Sequence, residues 1–174
     1  MSQTTTRHAT LQDVEALFDM EDRCFGQHQE ITRRGFRDFI KRPNNVILIA
    51  ELNGVPQGYA LALLRTNSPK ARLYSLAVLP EFQGNGTAQA LMSALECEAA
   101  MIGATVMQLE VRETNRKAIR FYQKMGYSAF DRYDEYYDDQ EHAWRMSKPI
   151  ASLSSLIYQQ PQQTVLPVFD FLPQ

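Results

Sequence analysis

The chain predicts one α/β domain built on a mixed sheet. Three observations carry this. The hydrophobic period switches repeatedly between about 3.6 and two. Asn53-Gly54 separates two runs of β-branched and aliphatic residues, and a third such run enters a glycine-bearing turn that opens into a long helix. At 174 residues, 44% of them hydrophobic, the chain suits one domain and leaves little room for a second.

The elements follow in order. A short strand is expected over Arg7 to Thr10, then a helix over Leu11 to Phe25, with Val14, Leu17, Phe18 and Glu21 at helical spacing and Thr10 with Asp13 as a capping box. A second helix, Thr32 to Lys41, gathers Phe36, Phe39 and Ile40 on one side, and Pro43 stops it. Strands Val46 to Leu52 and Val55 to Arg65 form a hairpin about Asn53-Gly54. A third strand, Ala71 to Leu79, ends at Pro80. A helix from about Gly86 to Ile102 follows, with Gly103 as its stop. Thr105 to Arg112 is the next strand, and Asn115 caps a helix that Gly126 ends after Met125. Tyr127 to Tyr133 and His142 to Ser147 form a last antiparallel pair around an acidic loop.

The domain is expected to span residues 1–150. Beyond Ala151 the composition shifts to five Gln, three Pro and Asp170 as the only charge, which suits a surface tail, a linker to a further domain or a segment that docks on a partner.

Charge and composition exclude several function classes. Lys plus Arg total 18 against 20 Asp plus Glu, so the basic excess of a typical nucleic-acid binder is missing. No apolar run approaches the roughly 18 residues that a membrane span needs. Cys24 and Cys97 lie far apart without a CxxC or Cys/His cluster, the pattern of two reduced thiols in a cytoplasmic protein. His8, His28 and His142 lack metal-ligand spacing.

The segment Leu73 to Leu95 joins a strand, a turn with Gly84 and Gly86, and a helix start. Unpaired N–H groups at a helix N-terminus, with the positive end of its dipole, attract an anion such as phosphate. Two glycines alone are equally compatible with an ordinary strand-to-helix turn, and the loop is neither GxxxxGK[ST] nor GxGxxG.

Gln83-Gly84-Asn85-Gly86-Thr87-Ala88 resembles the [QR]xxGx[GA] acyl-CoA loop of the GCN5-related N-acetyltransferases (GNAT), preceded as in that family by a strand ending in Ala77-Val78-x-Pro80. A second signature also matches: Leu109-Glu110-Val111-Arg112, then Asn115, Ala118-Ile119, Phe121-Tyr122 and Met125-Gly126-Tyr127. The resemblance covers about residues 5 to 150 and is closest to the bacterial ribosomal-protein alanine N-acetyltransferases. Ala88 departs from the glycine usual in those relatives.

This resemblance implies a mixed sheet of six or seven strands with splayed central strands and about four flanking helices. It also implies acetyl-CoA as co-substrate. Backbone groups of Leu76, Ala77 and Val78 would pair with the pantetheine arm, while Gln83, Gly84, Asn85, Gly86, Thr87, Ala88 and Gln89 would hold the pyrophosphate and Asn115 would contact the pantetheine side. Glu110 matches the family's base and Tyr122 its acid. Read from the residues alone, Glu110 could instead be a strand carboxylate paired with Arg112 or Lys117, and Tyr122 a core aromatic. The loop Asp131 to Glu141, with six acidic residues and three tyrosines, is either a solvated face or a border of the acceptor slot. In the second case Tyr136 and Tyr137, with Glu21, Asp22 and Phe25 from the first helix, would meet the acceptor amine.

The expected activity is acetyl transfer to a primary amine, preferably a protein N-terminus, by direct attack in a ternary complex. Transfer to lysine or a small amine, and an acyl-CoA-binding regulatory module, stay open. So do monomer and homodimer.

Overall fold

A computed structural model describes residues 4–151; what the sequence suggested for the tail lies outside the described residues. Seven strands and four α-helices follow one another among the described residues: β1 (Thr5–His8), α1 (Val14–Phe25), α2 (Arg33–Lys41), β2 (Asn45–Leu52), β3 (Val55–Leu64), β4 (Lys70–Val78), α3 (Thr87–Ile102), β5 (Val106–Arg112), α4 (Arg116–Lys124), β6 (Ser128–Tyr133) and β7 (Ala143–Pro149). They form one sheet in the order β1-β2-β3-β4-β5-β7-β6. Every neighbouring pair is antiparallel except β4 and β5. The expected mixed sheet with about four helices is therefore present.

Local chemistry explains the elements. Asn53 (φ 52°) and Gly54 (φ 77°) are both left-handed, as a two-residue hairpin turn requires, and they join β2 to β3 at the pair Leu52 and Val55. The Thr32 side chain accepts from the Gly35 N–H and caps α2; Asn115 does the same for α4 through the Ala118 N–H. The first strand lies two residues earlier than expected. The Thr10 N–H and hydroxyl both donate to Asp13 Oδ2, at 2.7 and 3.0 Å, so the chain turns away after a last backbone bond from the Ala9 N–H to the Ile47 carbonyl (2.9 Å) and begins the helix through a 3₁₀ turn at Leu11–Asp13. Arg7 clamps the same carboxylate with two 2.9 Å bonds.

Both faces of the sheet are covered. Val46, Leu48, Ala60, Ala62 and Leu73 face the layer of α3 on one side, in a core that α4 extends, whereas Ile47, Ile49, Tyr59 and Leu61 face α1 and α2 on the other. That period of two in β2 and β3, apolar on both sides, marks them as the buried centre of the sheet. The last hairpin differs from chain order: β7 inserts between β5 and β6, pairing with β5 from Val106↔Pro149 to Arg112↔Ala143.

Candidate functional site

The site begins where the parallel seam ends. β4 and β5 pair only at Lys70↔Val106, Ala71↔Met107 and Arg72↔Gln108. Beyond Arg72 the strands separate, and Leu73 to Val78 keeps β3 on one side with no β5 partner on the other. A cleft of about 340 Å³ opens in the fork, walled by α1, β4, β5, α4 and the turn before β7. The expected splay is therefore present.

The loop before α3 closes one end of this fork. Gly84 (φ 81°) and Gly86 (φ 82°) both adopt the left-handed conformation that glycine takes most readily. Gly86 is the N-cap of α3 and no side chain caps the helix, so the N–H groups of its first turn lack the side-chain acceptor that an Asn, Asp, Ser or Thr cap would supply. A Cβ at either glycine would meet nothing within 4 Å, which leaves the loop's outer surface open to an approaching anion. Gln83 anchors the loop: Nε2 donates to the Val78 carbonyl (3.1 Å) and Oε1 accepts from Lys117 Nζ (2.9 Å). Asn85 and Gln89 are exposed and Ala88 is half-buried, while Thr87 is buried and donates its hydroxyl to Gln57 Oε1 at 3.3 Å. Leu76 and Asn115 line the cleft; Ala77 and Val78 bury their side chains and offer only backbone. An open strand edge leading to an uncapped helix N-terminus fits a phosphopantetheine group.

Glu110 and Tyr122 line the same cleft from consecutive elements, β5 and α4. The Glu110 side chain is 11% exposed and accepts from Arg72 Nε at Oε2, 2.8 Å away, while Arg145 Nε stands 4.0 Å from Oε1. Neither partner suggested by the sequence is used. Arg112 turns to Asp139 (2.8 Å) and Glu141 (2.6 Å), and Lys117 to Gln83. Tyr122 packs edge-on against Phe121 and Tyr127, with ring centroids 5.3 and 5.8 Å apart. Burial first, then nearby Tyr137, pushes this phenol well above its usual range, so it stays protonated.

The opposite wall comes from α1 and the segment after it. Glu21, Cys24 and Phe25 line the cleft and Asp22 does not. Glu21 is buried: Oε1 accepts from the N–H groups of Glu30 (3.1 Å) and Ile31 (3.2 Å), and Oε2 from the Tyr59 hydroxyl, which lies 2.8 Å from the Ser75 hydroxyl. Burial pushes the Glu21 carboxyl up. Burial likewise pushes the Cys24 thiol up to about 11, so it is a thiol and not a thiolate at neutral pH.

The acidic turn does border the site, though with much of its charge neutralised. Arg112 holds Asp139 and Glu141, Arg132 holds Glu113 and Asp134, and Arg145 holds Asp131. Its paired tyrosines divide. Tyr137 lines the cleft with the Arg112 guanidinium 3.9 Å from its ring centroid, and burial pushes its phenol up to about 12. Tyr136 faces a second, open cavity of about 550 Å³, stacks on Tyr133 at 5.3 Å and accepts from Arg72 Nη2 at 2.8 Å. Glu110 lines both cavities. Sequence reasoning missed Arg72 and Arg145; the signal for Arg72 was a cation inside a strand whose other residues from Ala71 to Val78 are uncharged.

The Acetyltransferase (GNAT) family model matches residues 14–127. An uncharacterized N-acetyltransferase of Mycobacterium tuberculosis is 37% identical over 92 residues, which are 53% of this chain and 58% of that protein; the match thus spans little more than half of this relative's length. An N-alpha-acetyltransferase of Sulfurisphaera tokodaii is 27% identical over 155 residues, covering 83% of this chain and 92% of that protein. Among solved structures, the ribosomal-protein-S18-alanine N-acetyltransferase from Escherichia coli superposes with a TM-score of 0.76 at 25% identity, covering 86% of this chain and 95% of that one.

Proposed function

Since the chain belongs to the acetyltransferase (GNAT) family, we propose that it transfers the acetyl group of acetyl-CoA to a primary amine, and that the amine is a protein N-terminus. The observation that carries this proposal is the meeting of Glu110 and Tyr122 in one cleft at the fork of β4 and β5. Backbone of Leu76, Ala77 and Val78 and the loop from Gln83 to Gln89 would hold the cofactor, with Asn115 beside its arm. Acetyl-CoA, when bound, supplies a thioester carbonyl as acyl donor and a thiolate as leaving group.

Glu110 removes a proton from the acceptor ammonium, directly or through one water, so that the neutral nitrogen attacks. Tyr122, protonated and buried, returns a proton to the departing sulfur. No covalent enzyme intermediate is needed, and Cys24 as an unionised thiol is a poor nucleophile. Phe25 and Tyr137, with Tyr136 at the rim, would flank the acceptor.

Magnitudes favour an α-amine. Deprotonating an amine of pKa near 8 at pH 7 costs about 1.4 kcal/mol, against roughly 4.6 kcal/mol for a lysine near 10.4. A single carboxylate already bonded to Arg72 meets the first demand more easily. The S. tokodaii relative, by its name an N-alpha-acetyltransferase, and the E. coli structure, by its name acting on an alanine of ribosomal protein S18, support the same acceptor class.

The test is thiol release from acetyl-CoA against peptides with free and blocked N-termini, lysine side chains and small amines. Turnover confined to free N-termini, reduced about 100-fold or more in Glu110→Gln, is expected. Turnover with blocked peptides that carry lysine would overturn the acceptor assignment. Tight acetyl-CoA binding without turnover on any amine would replace it with a regulatory, binding-only role.

A further inference from the structure

Glu110 as base needs one oxygen held and the other free. Its Oε2 accepts from Arg72 Nε at 2.8 Å, whereas among the described residues Oε1 accepts no hydrogen bond; Arg145 Nε, buried and itself without a partner there, stands 4.0 Å away. Arg72 stands at the last position where β4 pairs with β5, opposite Gln108, so its backbone is fixed by strands on both sides just before the fork opens. The other end of the guanidinium leaves the base: Nη2 donates to the Tyr136 hydroxyl at 2.8 Å. Tyr136 in turn stacks on Tyr133 and meets Tyr137 edge-on at 5.0 Å, and Tyr137 lines the cleft.

From this geometry we infer that Arg72 is a positioning residue that aims Glu110 Oε1 at the acceptor and ties that aim to the seating of Tyr136. The inference rests on Glu110 being the base. Lysine cannot copy the planar fork that reaches two partners at once, so the two contacts make the identity of the cation matter. A purely structural ion pair would behave differently. With Glu110 only 11% exposed, loss of such a pair would show in Tm and leave the kinetics unchanged.

The experiment compares the full chain with R72Q, R72K, Y136F, R72Q/Y136F and E110Q, using thiol release with an N-terminal alanine peptide at saturating acetyl-CoA. R72Q is expected to lower kcat about tenfold or more, with peptide KM, acetyl-CoA Kd and Tm little changed, a split that misplacement of a catalytic group produces. R72K should recover part of that loss, and it remains informative if R72Q folds poorly. Y136F should lower kcat in the native background and add nothing in R72Q, as coupled residues do. If E110Q collapses kcat while R72Q stays within twofold of native, the positioning role is wrong and the base assignment stands. If E110Q keeps native kcat, both fall. Equal effects of Y136F in both backgrounds would overturn the tie to the hairpin.

Discussion

Gly58 of β3 lies so close to Ala77 of β4 that a Cβ at position 58 would sit 2.4 Å from the Ala77 carbonyl oxygen and 3.1 Å from the Val78 Cα. Those neighbours are backbone, which yields only if the strand moves. The strand edge proposed to hold the pantetheine arm is thus set in place from behind by an absent side chain. Gly58→Ala should push β4 toward the fork, at about 1–3 kcal/mol of overpacking. A Tm drop of several degrees with acetyl-CoA Kd raised about tenfold is expected in thermal melts and calorimetry; native affinity would show that the edge does not matter.

Gly86 poses a different problem, because its surroundings are empty and only its φ of 82° resists a side chain. Gly86→Ala should cost roughly 1–2 kcal/mol if the left-handed conformation is kept, or release the loop if it is not. Either route predicts weaker acetyl-CoA binding, by about tenfold in titration calorimetry, with a smaller Tm loss than Gly58→Ala.

Tyr122→Phe removes a proton donor without removing a ring. Because burial holds the Tyr122 phenol above its usual range, the group does not titrate between about pH 6 and pH 9. The variant should therefore lower the plateau of kcat, by about tenfold or more, while leaving the pH limbs where they are. A shifted basic limb would mean that another ionisation had been misread.

Glu21 makes a signed prediction about pH. Its folded-state pKa is raised, with burial as the largest cause, so its contribution to stability is complete below the ordinary carboxyl range and is lost as pH rises through the folded value. Glu21→Gln carries no such ionisation. The Tm of the variant should gain on that of the native protein as pH goes from about 4 to about 8, and parallel melting curves across that range would refute the shift.

Much of the fold was legible because its signals are local. Asn53-Gly54, the Asn115 cap and the Gly84 to Gly86 loop each act within a few residues, and each is found where the chain predicted. What escaped depends on distance. Neighbours in sequence suggested Arg112 or Lys117 beside Glu110, yet Arg112 is drawn to the carboxylates of the last turn and Arg72 arrives from a strand 38 residues away. The insertion of β7 next to β5 hid Arg145, which faces Glu110 across the pair Glu110↔Arg145. Glu21 sits at helical spacing with apolar residues, but its task as acceptor for Glu30, Ile31 and Tyr59 needs two other segments in place.

The short parallel seam also divides the protein mechanically. Strands β1 to β4 come from one continuous stretch of chain and β5 to β7 from another, and the two antiparallel blocks share backbone pairing at only three registers. Parallel pairing is somewhat weaker per residue than antiparallel, so this join is the place where the sheet opens with the least loss. Amide exchange in the native state should then resolve two cooperative units, residues 5–78 and 106–149, with the earliest exchange at Leu73 to Val78. A ligand lying in the fork would fasten both units together and raise the protection of each.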